Sequence, residues 1–205
     1  MSGFSKKIDV EASLRRGLYQ ELTLIMAFIE QQNYQLENYL SDFSENLVSG
    51  GQGIKTNKFT DLVSVSNVSN DMYDLESTFK KDLPNYIRKS QLLMLWAMLE
   101  DTLSQIVKSL SEHKGVKITK KAKDKESIFH LNLRNLDKIN KSELLSHNSI
   151  GFLNDNVREI RNSLVHGYPP RVTHDEVEVT ETGTLVSEKY IWEVCMSMHD
   201  LSMCL

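Results

Sequence analysis

The sequence predicts an all-α fold, a bundle of about four to six helices with a small β-hairpin near the C-terminus. Three observations support this prediction. Apolar residues recur every three or four positions over most of the chain, which is the period of an amphipathic helix. The chain has only 3 prolines, so few helices are interrupted. A clear hairpin pattern, two short apolar runs around a Gly-containing turn, occurs once, close to the C-terminus.

Length and composition restrict the classes of protein that need to be considered. The 205 residues fit a single domain, 1–205, with a substantial core. A net charge of −4 gives no overall attraction to nucleic acid, so such a partner would need a local basic patch. The sequence shows neither a signal pattern nor a run that could span a bilayer. Two cysteines, Cys195 and Cys204, indicate reduced thiols rather than a disulfide framework. We therefore expect a cytoplasmic protein without membrane contact.

The first half of the chain contains three predicted helices and one irregular segment. Helical periodicity covers about 10–40, with Asp9 as a plausible cap. Residues 41–70 then lose the pattern and are rich in Gly, Ser and Asn, so we expect a loop excursion on the surface. A short helix follows over 71–81, and Pro84 suits the first turn of the next one.

The helix predicted at about 84–111 is the most apolar part of the chain. Its broad stripe is formed by Leu92, Leu95, Trp96, Leu99, Leu103, Ile106, Val107 and Leu110. Further apolar residues surround its first half, which is typical of a helix buried on all sides. We expect this helix to be central in the fold, or to serve a dimer interface as well. Glu100 lies at the edge of the stripe.

A lysine-rich segment, 114–125, separates this helix from a further helical region at about 126–139. Four of its lysines are candidates for lining an RNA groove, because phosphate contacts supply most non-specific affinity. They are Lys117, Lys120, Lys121 and Lys123. A solvated loop is the alternative interpretation, because few aromatic residues are interleaved for base stacking.

The last third of the chain is predicted to contain a helix, a hairpin and a final helix. The first of these begins near Asn148 or Ser149 and stops at Gly167, since Pro169 and Pro170 prevent its continuation. Strand patterns at 177–180 and 185–187 flank the turn 181–184, so residues 171–189 form a hairpin insertion. A helix over 188–204 completes the chain.

The helix that ends at Gly167 carries a charged residue on its apolar face. Its apolar stripe consists of Ile150, Leu153, Val157, Ile160 and Leu164. Arg161 lies inside that stripe, where a guanidinium is costly unless an anion meets it. Glu100 is the candidate anion if the two helices pack together. Asn162 and His166 are four residues apart and share a different face.

The residue types in this segment suit one kind of chemistry. Arg161 brings a permanent cation that can fork onto a phosphate, and the imidazole of His166 can take or give a proton. Asn162 can hydrogen-bond the ring or a substrate oxygen. Together they suit metal-independent RNA cleavage, in which the 2′-hydroxyl attacks the adjacent phosphorus. No spacing of metal ligands and no cofactor motif is present. The structural alternative is a surface histidine at a helix end with a structural arginine.

The residues Arg161-Asn162-x-x-x-His166-Gly167 resemble the R-N-x-x-x-H signature of the HEPN superfamily (higher eukaryotes and prokaryotes nucleotide-binding domains). The resemblance implies a helical bundle with the motif on a late helix. Many members are metal-independent endoribonucleases in toxin–antitoxin and phage-defence systems, and their dimers bring two motifs into one cleft. The resemblance further implies that Arg161 and His166 are catalytic, that Asn162 supports them, and that Glu100 orients the arginine.

A narrower resemblance involves Tyr168. The pattern R-x4-H-x-Y, formed by Arg161, His166 and Tyr168, is similar to that of HepT-type toxins, in which a partner nucleotidyltransferase modifies the tyrosine. We therefore expect a homodimeric endoribonuclease that acts on RNA, with Tyr168 as a supporting residue and an antitoxin or nucleotidyltransferase as partner. The alternative is a non-catalytic HEPN module that binds a nucleotide or a protein, because a fold does not fix a function.

Overall fold

The computed structural model of the chain describes residues 9–49, 64–65, 68–69, 73–123, 126–181 and 183–205. Within these ranges the chain is mostly helical, with two small antiparallel hairpins. The elements are α1 (Val10–Ser49), β1 (Ser64–Val65), β2 (Val68–Ser69), α2 (Leu75–Ser77), α3 (Leu83–Lys114), α4 (Ile128–Asn140), α5 (Asn148–Gly151), α6 (Arg158–His166), β3 (Val177–Thr180), β4 (Gly183–Val186) and α7 (Glu188–Cys204). No helix in the described ranges combines the length and the apolar character that a membrane span requires.

Helix α1 is longer than the sequence predicts. Asp9 caps it, since its carboxylate accepts a hydrogen bond of 3.2 Å from the backbone N–H of Ala12, and the helix continues to Ser49. The loop excursion predicted from residue 41 therefore begins later, because 41–49 are still helical. The rest of that predicted excursion lies outside the described residues, except for β1 and β2, which pair antiparallel.

The two helices predicted before and after Pro84 form one continuous helix. Helix α2 is capped by the Asp74 side chain and leads through a π-helical turn, Thr78–Asp82, directly into α3. Proline has no N–H to bond the carbonyl four residues earlier, that of Lys80. A wider turn immediately before Pro84 lets the helix pass this missing bond. The predicted break at 81–84 is thus a local change of winding.

Helix α3 is the centre of the fold, as its apolar stripe predicts. It packs against α1, α4, α6 and α7. The whole predicted stripe is buried, and Leu92, Leu95, Leu99 and Leu103 have no exposed surface. The helix ends at Gly115, whose φ of 65° is in the left-handed region that favours glycine at this position.

The later elements confirm the predicted order. Ser127 caps α4 and Ser187 caps α7, each through its hydroxyl oxygen. Between them, α5, a π-helical turn Phe152–Val157 and α6 join into one helix, 148–166, which we call the motif helix. The predicted hairpin is formed by β3 and β4, with Val177 opposite Val186.

A buried asparagine attaches this hairpin to α3. Asn85, whose exposed fraction is 8%, donates from Nδ2 to the carbonyl of Thr184 at 3.2 Å. Its Oδ1 accepts from the N–H of Val186 at 3.0 Å. Because both bonds go to the backbone of β4, they fix the strand's position along α3 and bring the hairpin to the end of the motif helix.

Both cysteines lie on α7 as free thiols, as the sequence predicts. Cys195 is buried in the core, and this burial raises the pKa of its thiol to about 12. Cys204 is half-buried, and its sulfur lies 3.7 Å from Nε2 of His147. Cys195 is therefore a core side chain with a weakly acidic thiol.

Candidate active site at the end of the motif helix

The motif helix buries four of the five residues in the stripe that its sequence predicts, and the fifth, Leu164, is half-buried. Ile150, Leu153, Val157 and Ile160 are at most 1% exposed. The π-helical turn within this helix was not predicted. Its polar residue Asn156 accepts a hydrogen bond of 2.8 Å from the hydroxyl of Tyr190, which ties the turn to α7. Turns of this kind are frequent near functional sites.

Arg161 lies half-buried in this stripe, and no carboxylate of the described residues compensates its charge. Its Nη1 donates to Oδ1 of Asn162 at 2.9 Å. Its Nε is buried and makes no hydrogen bond with any residue that the structure describes. No carboxylate of the described ranges forms an ion pair with it. A cation in this position is expensive without an anionic ligand.

The predicted contact between Glu100 and Arg161 is not formed. Glu100 is half-buried on α3, and its carbonyl accepts a bond from the Ser104 hydroxyl. No hydrogen bond or ion pair joins its carboxylate to Arg161 within the described residues. The physical reason is local, because the guanidinium bonds along its own helix to Asn162 instead of crossing to α3.

His166 is exposed at the end of the motif helix. The helix stops at Gly167, whose φ of 71° is left-handed and whose N–H bonds the carbonyl of Ser163 at 2.8 Å. The ring of His166 lies parallel to that of Tyr168, with 6.2 Å between the ring centroids. The Arg171 guanidinium carbon is 5.8 Å from the centroid of the Tyr168 ring. The Tyr168 ring thus lies beside both the His166 ring and the guanidinium of Arg171.

The segment that follows the motif helix is held against that helix by a hydrogen bond. The backbone N–H of Arg171 donates to a carboxylate oxygen of Glu159 at 3.3 Å. Sequence reasoning did not single out Arg171, although it directly follows Pro170 and lies only five residues beyond His166. Arg171 could have been identified from the sequence because it is a cation close to the motif.

A cleft of about 350 Å³ lies at the C-terminal end of the motif helix, between the helix and the hairpin. It is lined by Ser163, Gly167 and Tyr168 of the motif segment, by Lys89 of α3 and by Thr184 of the hairpin, among others. Arg161 and His166 are not part of its lining. The hairpin therefore covers the Ser163 side of the helix and leaves the side chain of His166 open to solvent.

The lysine-rich segment is attached to α4. The amide of Asn135 bonds both the N–H and the carbonyl of Thr119, at 2.9 and 3.0 Å. Lys117, Lys120, Lys121 and Lys123 are all exposed. Lys123 also lines a second cleft, between α4 and the motif helix, whose lining does not include the other three lysines.

Four further residues of that second cleft were missed by sequence reasoning: Glu126, His130, Arg134 and Arg158. The guanidinium of Arg134, then the N–H of Lys123 and the ring of His130, lower the pKa of Glu126 to about 2. His130 and Arg134 are four residues apart on one face of α4, and Glu126, four residues before His130, lies just ahead of the start of that helix. That spacing is the sequence signal for the cluster.

Comparison of the chain with protein-family models, curated proteins and solved structures found no match. Among the residues described, no group of three or more His, Cys, Asp or Glu side chains is placed to hold a metal ion. The motif helix thus carries a guanidinium without a carboxylate partner among the described residues and, five residues further on, an exposed imidazole.

Proposed function

We propose that this protein is an endoribonuclease that cleaves RNA without a metal ion. One observation carries the proposal. The half-buried guanidinium of Arg161 has no carboxylate partner in the described part of the chain, is oriented by Asn162 and lies in the same helix end as the exposed His166. An anionic substrate would compensate this cation, and a neighbouring imidazole can move the proton that the reaction requires.

Each residue of the motif has a distinct role in this reaction. The bond between the 2′-oxygen and phosphorus forms while the bond from phosphorus to the 5′-oxygen breaks. His166 takes the proton of the 2′-hydroxyl, and the leaving 5′-oxygen receives a proton from water or from His166 of a second copy. Arg161 stabilises the charge that develops on the phosphoryl oxygens. Asn162 holds the guanidinium in place through its 2.9 Å bond.

The mostly helical fold, with these residues at the end of a late helix, supports membership of the HEPN superfamily. Members of that superfamily act as dimers, and the open His166 face leaves room for a second copy opposite it. We therefore propose a homodimer that acts in a toxin–antitoxin or phage-defence setting. An antitoxin or nucleotidyltransferase would be its regulator. Since the Tyr168 ring lies beside His166, a group attached to Tyr168 would obstruct the site.

The exposure of His166 favours catalysis over a purely structural or ligand-binding role. A non-catalytic module has no need to leave a histidine accessible on the helix that carries an arginine without a carboxylate partner among the described residues. The hairpin could have sealed the helix end, but it packs on the side of Ser163 and Gly167. The accessible imidazole is thus available to a polymeric substrate.

The proposal is tested by incubating total RNA with the protein in the presence of a chelator. We expect His166→Ala to lose RNA cleavage by a factor of about 100 or more, with an unchanged circular dichroism spectrum. His113→Ala is the matched control, because His113 is also an exposed histidine in the last turn of a helix, α3. Equal cleavage by the two variants would overturn the proposal.

A further inference from the structure

A second group of charged residues lies outside the site described above. It lines a cleft of about 300 Å³ between the start of α4 and the motif helix. Among the described residues that line it, Lys123, Arg134 and Arg158 contribute three cations, Glu126 contributes one anion, and His130 adds an imidazole. This described lining is therefore positive, although the chain as a whole has a net charge of −4.

Glu126, the one acid among the described residues that line the cleft, is fully engaged. One oxygen of Glu126 accepts from Nε of Arg134 and contacts Nδ1 of His130, both at 2.9 Å. The other accepts from Nη2 of Arg134 at 2.8 Å and from the N–H of Lys123 at 2.7 Å. Its side chain is only 6% exposed. Glu126 therefore fixes Arg134 and has little capacity left to neutralise the other cations.

Arg158 presents its charge to the same cleft in a fixed orientation. Its Nε donates to the carbonyl of Asn154 at 2.8 Å, which holds the side chain along its own helix. Neither terminal nitrogen of Arg158, nor Nη1 of Arg134, makes a hydrogen bond with a described residue. Arg158 is held through Nε and keeps both terminal nitrogens open, whereas Arg134 bonds Glu126 through Nε and Nη2 and keeps Nη1 open. Two oriented guanidinium groups with open N–H donors form an arrangement that suits phosphate.

The cleft lies along the same helix as the candidate active site. Arg158, Asn162 and His166 are spaced four residues apart, so they form one row along α6. With a rise of about 1.5 Å per residue, Arg158 is ~6 Å from Asn162 and ~12 Å from His166 along the helix axis. In the sequence, Lys123 closely follows the exposed Lys120 and Lys121. A polymer with repeated phosphates fits this path better than a free nucleotide does.

We propose that the cleft lined by Lys123, Arg134 and Arg158 binds a backbone phosphate of the RNA strand, beside the phosphate that is cleaved. This inference rests on the proposed function for the identity of the polymer. Arg134 and Arg158 contact the phosphate oxygens, and Glu126 acts as a positioning residue that holds Arg134.

The test uses a single-stranded 2′-O-methyl RNA oligonucleotide, which has no free 2′-hydroxyl and cannot be cleaved by the proposed reaction. Its binding to the full chain is measured by fluorescence anisotropy at several salt concentrations. We expect Arg158→Gln and Arg134→Gln each to weaken binding about tenfold. Each should also lower the salt-dependence slope by about 0.7, the value for one lost contact to a single strand.

Arg16→Gln is the matched control, because it removes the same charge from an exposed arginine that lines a different cleft, with Tyr19 and Met203. We expect its affinity to stay within about twofold of the wild type, as for a charge outside the contact surface. Arg134→Gln also removes the partner of Glu126 and could therefore prevent folding. In that case, the binding measurement on Arg158→Gln alone tests the proposed phosphate site.

Unchanged affinity and slope in Arg158→Gln would overturn the inference. So would binding of ATP or inorganic phosphate through these arginines without any binding of the oligonucleotide. The two proposals can fail separately, since the oligonucleotide is bound without being cleaved. A wild-type protein that binds it through this cleft but cleaves no RNA would support the cleft and contradict the ribonuclease.

Discussion

The guanidinium of Arg161 donates a 2.9 Å hydrogen bond to the side-chain oxygen of Asn162, its neighbour in the sequence. Two residues of the motif are thus in direct contact within one helix turn. The bond orients the cation with a neutral amide, which leaves the positive charge in place. A carboxylate in the same position would compensate that charge and weaken its attraction for a phosphate. The contact therefore explains how the site keeps an oriented but uncompensated arginine.

The first prediction concerns the stability of a variant without this cation. Arg161→Met keeps an unbranched apolar side chain about as long as the arginine stem up to Nε, removes a charge from a half-buried position and leaves no acid of the described residues without its partner. We expect the free energy of unfolding to be unchanged or higher by up to about 2 kcal/mol, while RNA cleavage is lost. Urea denaturation and the chelator assay measure the two effects.

Arg134→Met is the contrasting control for this experiment. Arg134 holds the enclosed carboxylate of Glu126 through two hydrogen bonds, so its removal strands an acid and should destabilise the protein. If Arg161→Met were the more destabilised of the two, Arg161 would be a structural residue, and the interpretation of its charge would be wrong.

The elements that sequence predicts well are those whose signals are local. Asp9 caps α1 through a hydrogen bond within the first turn, and Gly167 marks the end of the motif helix, both as predicted. The apolar stripe of α3 predicts its central position because that burial follows from the sequence of the helix itself.

The features that the sequence did not predict depend either on how separate helices pack together or on a local change in the winding of one helix. The expected ion pair of Glu100 and Arg161 required α3 and the motif helix to pack so that these two residues lie opposite each other. No local sequence pattern determines that relative position. The cleft at Arg134 and Arg158 likewise joins residues from two helices. The π-helical turn before Pro84 is a change of winding, and helical periodicity alone does not distinguish it from a break.

A second prediction concerns the anchor of the C-terminal hairpin. Asn85→Ala removes both of its bonds to β4 and leaves the N–H of Val186 and the carbonyl of Thr184 without their partner. We expect a loss of about 1–3 kcal/mol in the free energy of unfolding and faster hydrogen exchange at the Val186 amide. Asn140→Ala is the control, because Asn140 bonds only the exposed Lys114 among described residues. Unchanged exchange at Val186 would show that the hairpin is held by other contacts.

A third prediction follows from the ionisation of Glu126. Arg134, the Lys123 N–H and His130 lower its pKa from 4.5 to about 2. A lowered pKa stabilises the folded state above the unfolded value, and this contribution disappears as the pH falls through the folded value. We therefore expect wild type to exceed Glu126→Gln in melting temperature at pH 6. The difference should shrink between pH 4.5 and 2, the two values of this pKa.

Glu112→Gln is the control for the pH series, since Glu112 is exposed on α3 and forms no ion pair with a described residue. Its melting temperature should follow that of the wild type at each pH. A difference between wild type and Glu126→Gln that stays constant from pH 6 to pH 2 would contradict the proposed role of the carboxylate.

The central claim, that the end of the motif helix cleaves RNA through the 2′-hydroxyl, is tested most directly by the chemical nature of the RNA ends. Total RNA is treated with the wild type in a chelator, and the termini are identified by end-specific ligation and labelling. The account predicts 2′,3′-cyclic phosphate and 5′-hydroxyl ends from the wild type and none from His166→Ala. Ends that form equally with His166→Ala, or that carry 3′-hydroxyl and 5′-phosphate groups, would contradict it.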